Sequence, residues 1–388
     1  MNSADHMDHS PNSPWISRLA KLCVLLTFCL ILLGAIVTTS GAGMAAPAAP
    51  HVDGTLLNPT SPVTQTAWWK DPALLREHAH RLVAMSLGLG VGALAAALWR
   101  NWLAFAVSIA FMGAAEGLRS LKLDPALIAQ LRIWPAMILF ITMLIVGARR
   151  RGKKPSTEQW MALIAYIAAC TQALLGSLRV NLETAGSIAA ATNIRTFHGV
   201  FAQAFLAFLV ILAARLSPVW GRLITPLPAA AKLRRMAAVA ILLYFAQIAC
   251  AAYLRHRNLG LAIASWPAAQ SDPGWSTSGS WLPAVWSHAV GIQFLHTRIL
   301  AVLLLGHLVS MGISMTRRAR TEPLLARLGL PLSVLTAVQF ALGVLVVTLY
   351  VHGAPRQPHI TNTHVVTGAL LIALIALIFT RAGRLRVA

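Results

Sequence analysis

The sequence EHAHRLVAMSLGLGVGALAAAL occupies residues 77–98 and joins a charged segment directly to an apolar one. The apolar part is long enough to contribute a transmembrane helix, which needs about 20 apolar residues. Glu77, His78, His80 and Arg81 would therefore stand at the mouth of a membrane span. Ionisable groups are costly in such positions and are usually retained for a function.

The composition of the whole chain is that of an integral membrane protein. Of 388 residues, 57% are hydrophobic and 11% are charged, whereas soluble globular proteins carry about 25% charged residues. The formal net charge is +21, which in a soluble protein would suggest binding to nucleic acid. Because the basic residues cluster in short loops between apolar segments, the charge indicates membrane topology instead, and no nucleic acid partner is expected.

Apolar segments recur along the chain and predict an all-α polytopic membrane protein with about ten spans. They cover approximately residues 16–39, 80–98, 102–118, 131–148, 160–178, 197–214, 236–254, 289–313, 329–350 and 364–380. The first segment could also be a cleaved signal peptide, but its length favours a retained span. Arginine and lysine concentrate in alternate loops, which places these loops and both termini in the cytoplasm.

The two halves of the chain resemble each other. Four pairs of positions mark this repeat: Gly43 with Gly260, His80 with His296, Gln172 with Gln339, and His198 with His364. The separation within a pair falls from 217 and 216 residues to 167 and 166, so the first half holds about 49 extra residues, enough for two spans and their loops. Parallel repeats imply a pseudo-two-fold axis along the membrane normal.

This repeat predicts two pseudo-symmetric four-helix bundles, with an extra helical hairpin in the first. The expected organisation is a cytoplasmic tail at 1–15, an N-terminal unit at 16–215 with the hairpin inserted at about 100–150, a cytoplasmic linker at 216–235 and a C-terminal unit at 236–388.

Each half carries one histidine early in its second helix and another early in its fourth, all near the outer surface. His80 would pair with His198, and His296 with His364. Facing helices of a bundle can place two axial ligands on opposite faces of a haem, so the pairs predict two haem sites with these histidines as iron ligands. Zinc is a poorer choice because it needs four ligands around one ion.

A histidine in a membrane helix can also serve only as an interhelical hydrogen-bonding group. Repeat-related positions favour the ligand interpretation for the four paired histidines. The other histidines without a repeat counterpart are expected to be polar lining or interfacial residues: His78, His288, His307, His352 and His359.

The halves differ beside the histidines. Glu77 precedes His80 by three residues, about one helical turn on the same face, and Gln293 occupies the corresponding place before His296. A carboxylate can accept a proton and an amide cannot, so the first site is expected to be reactive and Glu77 catalytic.

Two arginines lie close to the paired histidines. Arg81 follows His80 directly, and Arg298 comes two residues after His296. Each could pair with haem propionates, and a contact with lipid headgroups is the equally favoured alternative.

Several segments together resemble the haem A synthase family of bacteria and mitochondria. They are GAIVTTSGAGMA from Gly34, WWKDPALLREHAHRL from Trp68, QALLGSLRV from Gln172 with TFHG from Thr196, and QFALGVLVV from Gln339 with NTHVVTGALL from Asn362. The resemblance extends over nearly the whole chain outside the inserted hairpin.

This resemblance implies that the protein oxidises the C8 methyl group of haem O to the formyl group of haem A. His80 and His198 would hold the substrate haem beside Glu77, and His296 and His364 would hold a haem b that passes electrons. The implied partners are haem O synthase, terminal-oxidase assembly factors, an electron acceptor and membrane lipid. The implied location is the bacterial inner membrane.

The sequence departs from the family pattern in three places. Pro47-Ala48-Ala49-Pro50 stands where many members have proline-aspartate-tryptophan-proline. The cysteine pair that some members carry in the outer loop is missing, and the inserted hairpin is additional.

Two other functions compete with the enzyme. A bis-histidine cytochrome b that only transfers electrons would need no carboxylate beside one haem. A transporter would place polar residues at broken helices near the membrane midplane, whereas here the polar residues gather near one face. The contrast between Glu77 and Gln293 favours the enzyme.

Overall fold

A computed structural model describes residues 13–46, 67–116, 125–152, 154–223, 226–263, 265–267, 281–283, 285–318, 321–349 and 358–385. The segment Pro47–Pro50 and His352 lie outside these ranges. The helices are α1 (Pro14–Thr39), α2 (Pro72–Trp99), α3 (Trp102–Glu116), α4 (Pro125–Arg150), α5 (Thr157–Thr184), α6 (Ile188–Arg215), α7 (Pro218–Arg222), α8 (Ala230–His256), α9 (His288–Phe294), α10 (Ala301–Arg318), α11 (Pro323–Ala326), α12 (Gly329–Thr348) and α13 (Pro358–Arg384). A π-helical turn, Leu295–Leu300, joins α9 to α10.

The all-α polytopic fold is confirmed. In the described ranges, nine helical segments are long and apolar enough to cross a membrane. The exception among the ten predicted spans is α3, which has 15 described residues. At 1.5 Å per residue the described part of α3 covers about 22 Å of a hydrocarbon core that is about 30 Å thick.

Several helices begin well before the apolar segments that identified them. The predicted span at 80–98 is the later part of α2, which starts at Pro72 because the Asp71 carboxylate caps the amides of Ala73 and Leu74 at 2.9 and 3.2 Å. An Asp-Pro pair favours a helix start, but hydropathy marks only the part that crosses the lipid. His80 consequently lies about two turns inside α2 rather than at its mouth.

Contacts divide the chain into two compact units. The first unit comprises Met1–Leu33, Gly41–Ala191 and Phe208–Arg222, and the second comprises Gly34–Ser40, Thr192–Ala207 and Leu223–Ala388. Helix α6 therefore contributes to both units, and the segment that carries His198 belongs to the second.

The inserted hairpin is a packed part of the first unit. The hydroxyl of Ser108 in α3 donates a hydrogen bond to the carbonyl of Ala136 in α4 at 3.3 Å. The rings of Phe105 and Phe140 stand 6.5 Å apart, and Phe140 continues to Tyr166 of α5 at 4.5 Å. Aromatic pairs at these separations stabilise packing beyond their buried area, so α3 and α4 pack side by side and α4 packs on α5.

Hydrogen bonds hold the C-terminal end of α2, the helix that carries Glu77 and His80. The last carbonyls of a helix have no partner within it. Here Gln159 donates to the carbonyl of Leu98 at 2.9 Å, and Arg151 donates to that of Trp99 at 2.6 Å. The indole of Trp99 in turn donates to the carbonyl of Gln159 at 2.8 Å. These bonds fix α2 against the start of α5.

In the second unit, α8, α10, α12 and α13 pack on one another in a closed four-helix arrangement. The hydroxyl of Tyr244 in α8 donates to the carbonyl of Gly368 in α13 at 2.9 Å. His307 in α10 contacts the carbonyl of Met236 in α8 through its Nε2 atom at 2.8 Å. His307 therefore makes an interhelical hydrogen bond.

Candidate functional site

Glu77 is a buried carboxylate near the beginning of α2. Its residue is 4% exposed, and Arg81 approaches it from the next turn of the helix. The Nη2 and Nε atoms of Arg81 lie 3.0 and 3.1 Å from the same oxygen, Oε1 of Glu77. Charge-assisted hydrogen bonds of this kind hold both side chains in defined positions.

His80 lies one turn from Glu77 in the same helix. Its ring contacts the backbone of Leu30 in α1 and lies within electrostatic range of Arg81 and Arg179. The Nδ1 atom of His80 is buried and makes no hydrogen bond to any described residue. A buried imidazole with an unused nitrogen beside two guanidinium groups is compatible with binding a metal macrocycle that carries acidic substituents.

Arg179 of α5 is a residue of this site that the sequence interpretation missed. Its Nη2 atom donates to the carbonyl of Gly43 at 2.9 Å, and its Nη1 atom lies 3.4 Å from Oε2 of Glu183. The repeat could have indicated this residue, because the position that corresponds to Arg179 in the second half, at the offset of 167 residues, is an uncharged residue, Val346. Only the first half places a cation there.

The structure assigns His80 and His198 to different compact units. His80 belongs to the first unit, whereas His198 lies in the α6 segment Thr192–Ala207 of the second. Next to it, Gly199 faces His256 of α8, because a Cβ atom on Gly199 would lie 3.7 Å from the Nε2 atom of His256. The pairing of His80 with His198 stays a prediction.

His296 is oriented by α8 of the second unit. Its Nδ1 atom lies 3.3 Å from the carbonyl oxygen of Gln247 in α8, and the Gln247 amide donates to the His296 carbonyl at 3.0 Å. Gln247 corresponds in the repeat to Leu30, whose backbone contacts His80. A histidine that donates Nδ1–H to a carbonyl presents its Nε2 atom to a metal.

His364 occupies the same unit as His296. The amide nitrogen of Gln339 lies 3.4 Å from the Nε2 atom of His364, while its Nδ1 atom is buried and has no hydrogen-bond partner among the described residues. Gly343, one turn after Gln339, lies directly against this ring. A Cβ atom there would stand 3.1 Å from Cε1 of His364.

Gln293 and Arg298 bind the loop that follows α8. The Gln293 side chain, in a residue only 1% exposed, contacts the backbone of Gly260 and Ile263. The Arg298 guanidinium, equally buried, donates to the carbonyls of Ser265 at 2.9 Å and Pro267 at 3.3 Å. Both side chains therefore anchor a loop, and a propionate contact of Arg298 stays a prediction.

The π-helical turn Leu295–Leu300 carries both His296 and Arg298. A π turn inserts an extra residue into a helix and often accompanies a functional site. The second-half arginine stands two residues after its histidine, whereas Arg81 directly follows His80 in the regular α2 helix. No sequence pattern indicated this turn.

The residues of the second unit fit a haem. His296 and His364 are imidazoles of one helical bundle, each with a ring nitrogen that no described residue occupies with a conventional hydrogen bond. Gly343 brings the backbone of α12 directly against one of these rings. Within the described residues, no three His, Cys, Asp or Glu side chains cluster as a polydentate metal site would require.

The remaining histidines lie in varied environments. The buried His78 ring meets Trp68 edge-on at 4.7 Å, and the exposed His288 contacts the Tyr253 hydroxyl through Nε2 at 3.0 Å. His359 is exposed at the start of α13. The interfacial assignment of these side chains stays a prediction.

We expect Gly343→Ala to weaken haem retention in the second unit by about fivefold or more, because the added methyl group would displace the His364 ring. Haem occupancy measured by the pyridine haemochrome assay after extended dialysis tests this. Gly306→Ala is the matched control, since a Cβ atom on Gly306 of α10 meets nothing within 4 Å. Equal haem loss in both variants would contradict a role for the contact between Gly343 and the His364 ring.

Comparison with known families agrees with this arrangement. The sequence profile of COX15-CtaA, described as cytochrome oxidase assembly protein, matches residues 1–118 and 132–376. The matched ranges include most of both inserted helices, so the additional hairpin is a smaller departure from the family than the repeat suggested. A search of curated proteins found no significant match. Because the profile covers nearly the whole chain, this protein belongs to the COX15-CtaA family of cytochrome oxidase assembly proteins, the haem A synthase family.

Proposed function

We propose that this protein is a haem A synthase, an oxidoreductase that converts the C8 methyl group of haem O into the formyl group of haem A. The observation that carries the proposal is the buried carboxylate of Glu77 one turn from His80. The equivalent position in the second unit holds Gln293, whose amide is bound to a loop. Acid–base chemistry is thus available in one half only.

In the first unit, the chain would bind and orient the substrate haem O. His80 would hold the haem, with Arg81 and Arg179 placing positive charge near its ring; His198, the second ligand that the repeat predicts, belongs to the segment of α6 in the second unit. Oxidation of a methyl group to a formyl group adds an oxygen atom, which water can supply, and releases protons together with electrons that an external electron acceptor must take up. Glu77 is the group that can accept a proton at this position, and Arg81 holds its carboxylate in place.

In the second unit, His296 and His364 would hold a haem b. When bound, haem b supplies one-electron transfer. The carbonyl of Gln247 fixes the orientation of the His296 ring, and the absence of a side chain at Gly343 leaves room for the His364 ring against α12. The role we propose for these residues is therefore to bind and position haem b.

The setting of the reaction follows from the family. The family assists cytochrome oxidase assembly, and haem A made here would be delivered to haem-copper oxidases. The proposed location is the bacterial inner membrane, with both chain termini in the cytoplasm as the positive-inside rule predicts. Haem O synthase and oxidase assembly factors are the proposed protein partners.

A second candidate is an electron-transfer cytochrome b with two bis-histidine haems. It is supported by the second unit, in which His296 and His364 lie together without a carboxylate at the position of Gln293. An electron-transfer cytochrome b would have no chemical use for the ion pair of Glu77 and Arg81.

Haem extraction with identification by mass spectrometry tests the proposal. The protein is purified from cells that make haem O and have no other source of haem A. We expect haem A together with haem b. Haem b alone, with haem O present in the same cells, would identify an electron carrier instead.

A further inference from the structure

The two units hold an equivalent loop in different ways. The repeat offset of 217 residues pairs Gly43 with Gly260 and also pairs Ala46 with Ile263. In the second unit, the amide nitrogen of Gln293 donates to the carbonyls of Gly260 at 2.7 Å and Ile263 at 2.9 Å. The amide oxygen of Gln293 accepts the Ile263 N–H at 2.5 Å. One glutamine therefore clamps the whole turn.

In the first unit, two arginines bind the corresponding carbonyls. Arg179 donates to Gly43 at 2.9 Å, and Arg81 donates to Ala46 at 2.7 Å. A Cβ atom on Gly43 would lie 3.0 Å from Nη1 of Arg179, whereas one on Gly260 would meet nothing within 4 Å. The guanidinium of Arg179 thus packs directly on the Gly43 backbone, and Glu183 supports it through their ion pair at 3.4 Å.

Glu77 stands in the place of Gln293, but a carboxylate cannot do what that amide does. An ionised carboxylate only accepts hydrogen bonds, so it cannot donate to the carbonyls of Gly43 and Ala46. Its hydrogen bonds come from Arg81 instead. A carboxylate at position 77 is therefore compatible with an ordered loop only if other donors bind these carbonyls.

We propose that Arg179 is a positioning residue that, together with Arg81, takes over the loop clamp that Gln293 provides in the second unit, and so allows a carboxylate to occupy position 77. This inference deepens the proposed function, because it explains how the reactive half replaces a structural amide with an acid. Arg179 touches neither Glu77 nor the reacting methyl group in this role, and it acts through the loop.

The clamp is tested by hydrogen exchange of the full-length protein in lipid nanodiscs, read at residues 41–46. Arg179→Met keeps most of the side-chain bulk and removes the donors. We expect exchange of this loop to rise by about tenfold, the range for losing hydrogen bonds from a charged group. The exposed Arg76 of α2 provides the control, and Arg76→Met should leave the loop unchanged.

The double variant Arg179→Met with Glu77→Gln makes the test specific. An amide at position 77 can bind both carbonyls as Gln293 does, so loop exchange should return to within about twofold of the wild-type rate while haem A formation stays absent. A merely structural loss at Arg179 would not be rescued by a change at position 77.

Two results would overturn the clamp: unchanged loop exchange in Arg179→Met, or exchange in the double variant as fast as in Arg179→Met. Failure of the proposed function has a different signature. If the proposed function is wrong, the single variant Glu77→Gln will still form haem A. This outcome is independent of the loop exchange rates, so it leaves the test of the clamp intact.

Discussion

We expect Glu77→Gln to abolish the conversion of haem O to haem A while both haem sites remain filled. The substitution preserves the size of the side chain. It also preserves an oxygen that can accept a hydrogen bond from Arg81, whose Nη2 atom lies 3.0 Å from the carboxylate in the wild-type protein. It removes the ability to accept a proton in a position that is 4% exposed, where water cannot readily substitute. General acid–base groups contribute about 100-fold or more to a rate, so turnover should fall by at least that factor.

The measurement is haem A per haem b, determined by extraction and mass spectrometry, with the visible spectrum recorded to show that both haems are bound. Glu158→Gln is the matched control, since it makes the same chemical change in the first unit at the ion pair with Arg215. This control should keep full turnover. Near-normal haem A formation in Glu77→Gln would assign the proton transfer to another group.

His364→Ala should empty the haem site of the second unit. The variant removes one of the two imidazoles proposed as ligands in this unit, together with the ring that packs against Gly343. Loss of outer-shell support for a metal ligand already costs about 10- to 100-fold in affinity, and loss of the ligand itself should cost at least as much. We expect haem b to fall more than about tenfold and haem A formation to stop with it.

The control for His364→Ala lies on the same helix. His359 is exposed at the start of α13, so His359→Ala removes a histidine of the same segment without touching the bundle interior. Haem b content is measured spectrally after purification in detergent and again after reconstitution. Full haem b content in His364→Ala would show that this histidine is not an axial ligand.

Hydropathy and charge predicted most of the fold. The apolar segments identified the membrane-crossing helices because lipid requires long apolar runs with satisfied backbone hydrogen bonds. They did not predict where the helices begin. Capping by Asp71 moves the start of α2 to Pro72, and short polar turns of this kind are invisible to a scale that measures apolarity.

The repeat predicted the candidate site in part. It predicted His296 and His364 as a ligand pair, which stays a prediction although both residues lie in the second unit, and it identified the difference between Glu77 and Gln293. It did not predict that the carbonyl of Gln247 contacts His296. Backbone carbonyls are the same in every residue, so no side-chain pattern could mark this one.

The sequence by itself determined that this protein is a polytopic helical membrane protein with an acid beside one histidine and an amide beside another. These properties depend on residue type and on spacing within single helices. Only the tertiary structure decided which groups hold the loop of each unit. Arg179 meets Gly43 across 136 residues of chain, and the π turn at Leu295–Leu300 redirects Arg298 into a buried position. Such contacts arise only when separate helices pack. Packing brings a donor on one helix within reach of an unpaired carbonyl on another segment, and the local sequence does not fix the distance between them.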